Sequence, residues 1–163
     1  MPSPSGVCHS GTTLRSAVRP ETGTVLGMVL TEEVVATVVA DISAQLADPT
    51  FGQVSIGGFV ESQPDAARFL TLAVGRKVGA EEAMQAVFHA TVLEACFARA
   101  TTPPAPVTFA QLDAVGDTPA AALEREQPAL AGYLVANVES PPVREALSRV
   151  AVAWSRSATE VAR

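Results

Sequence analysis

The sequence predicts an all-α protein, a helical bundle of about six to seven helices built from two pseudo-symmetric repeats plus an N-terminal helix. Three observations point there. Hydrophobic residues make up 48% of the chain but aromatic residues only 5%, and the Ala and Val that dominate suit close contact between helices better than the layers of a β-sandwich. Apolar residues recur at three- and four-residue steps through most of the chain, the period of a helix with one buried face. The third observation is a repeated stretch. Ser62-Gln63-Pro64-Asp65-Ala66-Ala67-Arg68-Phe69-Leu70 aligns with Glu126-Gln127-Pro128-Ala129-Leu130-Ala131-Gly132-Tyr133-Leu134. Upstream, Thr50-Phe51-Gly52-Gln53-Val54 matches Thr108-Phe109-Ala110-Gln111-Leu112, and downstream Glu82-Ala83-Met84 matches Glu145-Ala146-Leu147. These blocks define repeat 1 over about 49–100 and repeat 2 over about 108–163, with a Pro-rich spacer at 101–107. A helix pair cannot bury its apolar face alone, so the copies are expected to pack on each other.

Residues 1–23 are rich in Ser, Pro, Gly and Thr, lack an apolar period, and read as a disordered tail. Residues 24–163 read as a single helical domain. Met28 stands just ahead of the first periodic segment, where a translation start would leave the tail out. Thr31 is placed to cap the first helix, with Glu32 and Glu33 at its positive end. Val34, Val35, Val38, Val39, Ile42 and Leu46 form the apolar face of that helix, and Asp48-Pro49 ends it. A short helix runs from Phe51 into Gly57-Gly58. Ser62 is expected to cap the next one, with Asp65 in the manner of a capping box and Pro64 in a first turn that needs no N–H there. Residues 75–79 turn the chain into a long helix from Ala80 to about Ala100, striped by Met84, Val87, Phe88, Val92, Ala95 and Cys96. Pro103, Pro104 and Pro106 stop it. In the second copy Thr108 caps a short helix, a six-residue insertion falls near Gly116 to Ala121, and Pro119 starts another helix. Gln127-Pro128 marks a kink or a fresh start, and Val143 to Arg163 forms the last helix after Ser140-Pro141-Pro142.

A chain of 163 residues is long enough for one hydrophobic core. Net charge of −6 and a pI near 4.9 have the wrong sign for neutralising nucleic-acid phosphates or anionic lipid, so neither nucleic acid nor membrane is expected as a partner. No run reaches the roughly 18 apolar residues of a membrane span, and Val25 to Leu30 is too short for the apolar core of a signal peptide. Cys8 and Cys96 belong to no paired motif, which indicates neither a disulfide framework nor a zinc site. Two free thiols fit a cytoplasmic location, and ten Arg against the single Lys77 fit GC-rich bacterial coding.

The candidate chemistry is thin. His89 and Cys96 share a helix face, but two turns hold them roughly 10 Å apart, too far to ligate one metal ion. Cys8-His9 lies in the tail and cannot enclose a metal. Gly52-Gln53-Val54-Ser55-Ile56-Gly57 lacks the spacing of a nucleophile elbow. Gly75 to Gly79 precedes a helix N-terminus, but Glu81 and Glu82 there would repel a phosphate or a DNA backbone. No catalytic set can be assembled, and no cofactor or metal is expected.

What remains is surface. On the last helix Val143, Leu147, Val150 and Trp154 repeat at three- and four-residue steps, with Arg149 and Arg156 beside them and Arg163 further on. This face is expected to form a homodimer interface anchored by Trp154, while the arginines either lie on a solvated face or meet an acidic partner protein. The functional expectation is a non-enzymatic interaction or assembly protein. The alternative is a regulatory module that binds a small molecule or lipid in an apolar pocket between the repeats.

Overall fold

The computed structural model describes residues 28–161. The expected tail, Cys8-His9 and Arg163 lie outside the described residues. Among those described there are eight helices and no strand: α1 (Glu32–Gln45), α2 (Phe51–Ser62), α3 (Pro64–Val78), α4 (Ala80–Ala100), α5 (Phe109–Asp113), α6 (Pro119–Glu126), α7 (Pro128–Asn137) and α8 (Pro141–Val161). The count exceeds the expected six to seven because Gln127 leaves helical space (φ −141°, ψ 68°), which makes α6 and α7 separate helices and not one kinked helix.

Local chemistry sets most boundaries. Thr31 and Thr108 are extended, and each hydroxyl accepts the N–H of the third residue on, Val34 and Gln111 respectively. Such a cap satisfies one of the N–H groups a helix start leaves unpaired. Pro64, Pro119 and Pro128 each open a helix at its first position, where the missing N–H costs nothing. Gly79 separates α3 from α4 with φ 108°, a backbone conformation open to glycine and strained for other residues. The expected cap at Ser62 is not formed. Ser62 belongs to the end of α2, its hydroxyl donates to Phe59 O and Glu94 Oε1, and the residue before α3 is Gln63.

The two long helices, α4 and α8, pack against each other at the centre. Around them α1, α2 and α3 cover α4, while α5, α6 and α7 cover α8, and α3 also reaches α8. Two further contacts cross the molecule: α1 packs on α7, and α5 packs on α3. The buried apolar residues form one continuous core, with Leu70, Leu93, Leu112, Leu123, Leu130 and Leu147 fully enclosed.

At the heart of that core lie two glutamines, Gln63 and Gln127, both 0% exposed. Each bridges two helices and clamps an extended segment from elsewhere in the chain. Gln63 Nε2 donates to Pro104 O at 2.9 Å, while its Oε1 accepts Val107 N–H and Trp154 Nε1–H, both at 3.2 Å. Gln127 Nε2 donates to Met28 O at 2.6 Å and Ser155 Oγ at 3.0 Å, while its Oε1 accepts Leu30 N–H at 2.8 Å. The clamped segments are the lead-ins to α5 and to α1. Leu30 and Val107 are both buried and both precede a capping threonine. The sequence match of Thr50–Val54 with Thr108–Leu112 has no such counterpart: Thr50 is helical, makes no side-chain cap, and opens a helix of 12 residues where α5 has 5.

The dimer face expected on α8 is corrected by burial. Leu147, Val150 and Trp154 are all 0% exposed within the single chain. The Trp154 ring meets Phe59 of α2 at 6.1 Å and Phe97 of α4 at 5.9 Å, both edge to face, the arrangement that aromatic quadrupoles favour. Arg149 donates to Leu112 O and Gly116 O, at the negative C-terminal end of α5. Arg156 pairs with Glu126 of α6 at 2.8 Å. Trp154 is therefore a core anchor, and both arginines tie α8 to its own neighbours.

Leu70 and Leu134, the matched leucines, are 0% and 2% exposed. Leu70→Ala and Leu134→Ala are each expected to lower the unfolding free energy by about 2–5 kcal/mol through lost burial and the cavity left behind. Arg76→Ala, at an exposed position, is expected to stay within about 0.5 kcal/mol of wild type in urea titration.

Candidate functional site

The two helix contacts that cross the molecule each leave an apolar groove. Phe69 and Tyr133 occupy the same place, six residues beyond their clamping glutamine, and each lines one groove. The first groove, about 330 Å³, lies between α3 and α5. Phe69, Leu72, Ala73, Arg76 and Lys77 of α3 face Phe109 of α5. Leu72 is 44% exposed and Phe109 38%, so both offer apolar surface to a partner. Arg76 and Lys77 are exposed and take part in no ion pair among the described residues. Beside this groove, a cleft of mixed charge is lined by Lys77, Asp113, Asp117, Glu145 and Arg149.

The second groove, about 310 Å³, lies between α1 and α7. Glu32, Val35, Ala36 and Val39 form one wall, and Pro128, Ala129, Gly132, Tyr133 and Ala136 the other. No cation lines it, and α7 carries no charged residue. Beneath it the Tyr133 hydroxyl shares a hydrogen bond with His89 Nδ1 at 2.9 Å. Both grooves are open to solvent.

The titratable groups near Tyr133 are held in their neutral forms. Burial lowers the His89 imidazole below its ordinary value, pushes the Cys96 thiol up to about 12, and, with the nearby Cys96, raises the Tyr133 phenol to about 12. A nucleophilic cysteine needs the opposite shift. Ser55, lying inside α2, has no hydrogen-bonded base among the described residues. Residues 75–77 fall in the last turns of α3 and make no phosphate-binding loop. No group of three or more His, Cys, Asp or Glu suited to a metal occurs among the described residues, and no helix described is long and apolar enough to cross a membrane.

Sequence reasoning selected the α8 residues and passed over Leu72 and Phe109. The available signal was negative: Leu72 falls off the apolar stripe of its helix, and Phe109 follows a capping residue directly.

The half-buried His89 gives a pH signature. Its proton binds more readily in the unfolded chain than in the folded one, so its contribution to stability is present above about pH 6.5 and is lost as pH falls below it. Glu94 works oppositely: burial raises its carboxyl, opposed in part by the Ser62 hydroxyl, so its contribution is lost as pH rises through the carboxylate range. Between pH 7 and pH 5 the wild-type melting temperature should fall more than that of His89→Gln, in which Glu94 is unchanged. Parallel curves for the two proteins would contradict this.

No family model matches the chain, and no curated protein or solved structure matches it either.

Proposed function

We propose that this protein is a non-enzymatic interaction module that takes an acidic, amphipathic segment of a partner protein into the groove between α3 and α5. The observation that carries the reading is the composition of that groove, an apolar floor with Leu72 and Phe109 open to solvent beside Arg76 and Lys77, cations that form no ion pair among the described residues. Exposed apolar surface with a charged rim is the usual form of a protein-binding site. A helix laid in such a groove presents apolar anchors at three- and four-residue steps and its acidic residues at the edge.

Supporting this, burial pushes the Cys96 thiol up to about 12, away from the thiolate that nucleophilic catalysis needs. The reading of an enclosed small-molecule or lipid pocket has less support, because both grooves are open. The two grooves also fit a duplicated plan in which α1–α4 and α5–α8 are related four-helix units, each holding the other's lead-in through its glutamine. In favour are the similar backbone of Thr31 (φ −86°, ψ 155°) and Thr108 (φ −96°, ψ 161°), and of Gln63 (φ −132°, ψ 59°) and Gln127 (φ −141°, ψ 68°).

The test uses a fluorescein-labelled synthetic amphipathic helix with Leu and Phe on one face and Glu along its edges, beside the same peptide with Lys for Glu. The acidic peptide is expected to bind in the micromolar range, about −8 kcal/mol, and the Lys version at least about tenfold more weakly. Phe109→Asp should abolish binding without unfolding the protein, since Phe109 is 38% exposed. Equal binding of both peptides, or undiminished binding by Phe109→Asp, would contradict the reading.

A further inference from the structure

We infer that the segment received by the α3/α5 groove belongs to a second copy of this chain: the α1/α7 face of one copy docks on the α3/α5 face of the next. This rests on the proposed reading of the α3/α5 groove as a protein-binding surface and names its occupant. Both faces are apolar at the centre. On the α1/α7 face the small residues Ala129, Gly132 and Ala136 let a partner's backbone approach closely.

Charge then distinguishes them. Glu32 lines the α1/α7 groove and Glu33 stands exposed in the same first turn, with no cation in the lining. The α3/α5 groove has Arg76 and Lys77 and no acid in its lining. Pairing a face with its own copy would bring two acidic faces, or two basic ones, together, and like charges across an interface are repelled. Pairing unlike faces sets Glu32 and Glu33 toward Arg76 and Lys77, and the apolar lining of the α1/α7 groove toward Leu72 and Phe109. The contact is therefore heterologous: it closes into a dimer or ring if the rotation permits, and extends into a chain if it does not. Buried α8 leaves no rival apolar face of its own, since Leu147, Val150 and Trp154 are enclosed.

Charge reversal with rescue tests this directly. Light scattering of the wild type at about 100 µM, a concentration that populates contacts of micromolar affinity, should give at least twice the 16.8 kDa chain mass. Glu32→Lys/Glu33→Lys should run as a monomer, as should Arg76→Glu/Lys77→Glu. An equal mixture of the two variants should reassociate to at least twice the chain mass, because every contact between unlike variants again joins opposite charges. That rescue also shows both variants to be folded. A monomeric wild type, variants that remain associated alone, or a mixture that stays monomeric would each overturn the proposal. If the acidic peptide still binds in that event, the groove remains a protein-binding site with another occupant; if the peptide fails as well, both readings fall.

Discussion

Two primary amides hold the centre of this molecule together. An extended segment that passes through a helical core brings backbone N–H and C=O groups with no ladder to pair them, and each left unpaired costs about 1–3 kcal/mol. Gln63 and Gln127 meet that need for the lead-ins to α5 and α1. Only a side chain with both a donor and an acceptor can serve a carbonyl and an N–H at once; an ionised glutamate offers acceptors alone. The position is equally specific. Each glutamine stands at the break between two helices, outside helical space, and the proline after it starts the next helix without needing an N–H partner. Among the described residues every buried side-chain polar atom finds a partner, as a core of this density requires.

The rest of the architecture follows from these clamps. Gln127 reaches Leu30 across 97 residues of sequence, and Gln63 reaches Trp154 across 91. By holding the start of α1 at the α6–α7 junction, Gln127 brings α1 onto α7. By holding the start of α5 at the α2–α3 junction, Gln63 brings α5 onto α3. Both grooves lie at those crossings, so the candidate binding surfaces are products of the buried amides. Trp154 adds the tie between halves, stacking edge-on against α2 and α4 while donating to Gln63 Oε1.

Local signals in the sequence were legible and global ones were not. The threonine cap of α1, the proline start of α6 and the limits of α4 depend on neighbours within a few residues, and the pattern predicts them. Gln-Pro was visible as a repeat, but a polar residue before a helix-opening proline reads as a cap; its burial is decided by segments 44 and 97 residues away. The α8 face shows the same limit. Leu147, Val150 and Trp154 repeat at helical spacing, and that period marks a face to be covered without saying whether the cover is the same chain or another. The match of Thr50 with Thr108 misled for a related reason, since five similar residues open a long helix in one place and a single turn in the other. The groove residues Phe69, Leu72 and Phe109 come together only through the α3–α5 crossing, which no local pattern encodes.

Native-state hydrogen exchange reads the two clamps one at a time. In the wild type the N–H groups of Leu30 and Val107 should exchange slowly. In Gln127→Ala the Leu30 amide should lose protection by about 1–3 kcal/mol relative to the core amides of α4, roughly 5- to 150-fold in rate, while Val107 keeps its own. Gln63→Ala should do the reverse. Leu30 and Val107 amides that stay protected in both variants, or that lose protection together in each, would contradict the claim that these glutamines separately hold the two lead-ins in the core.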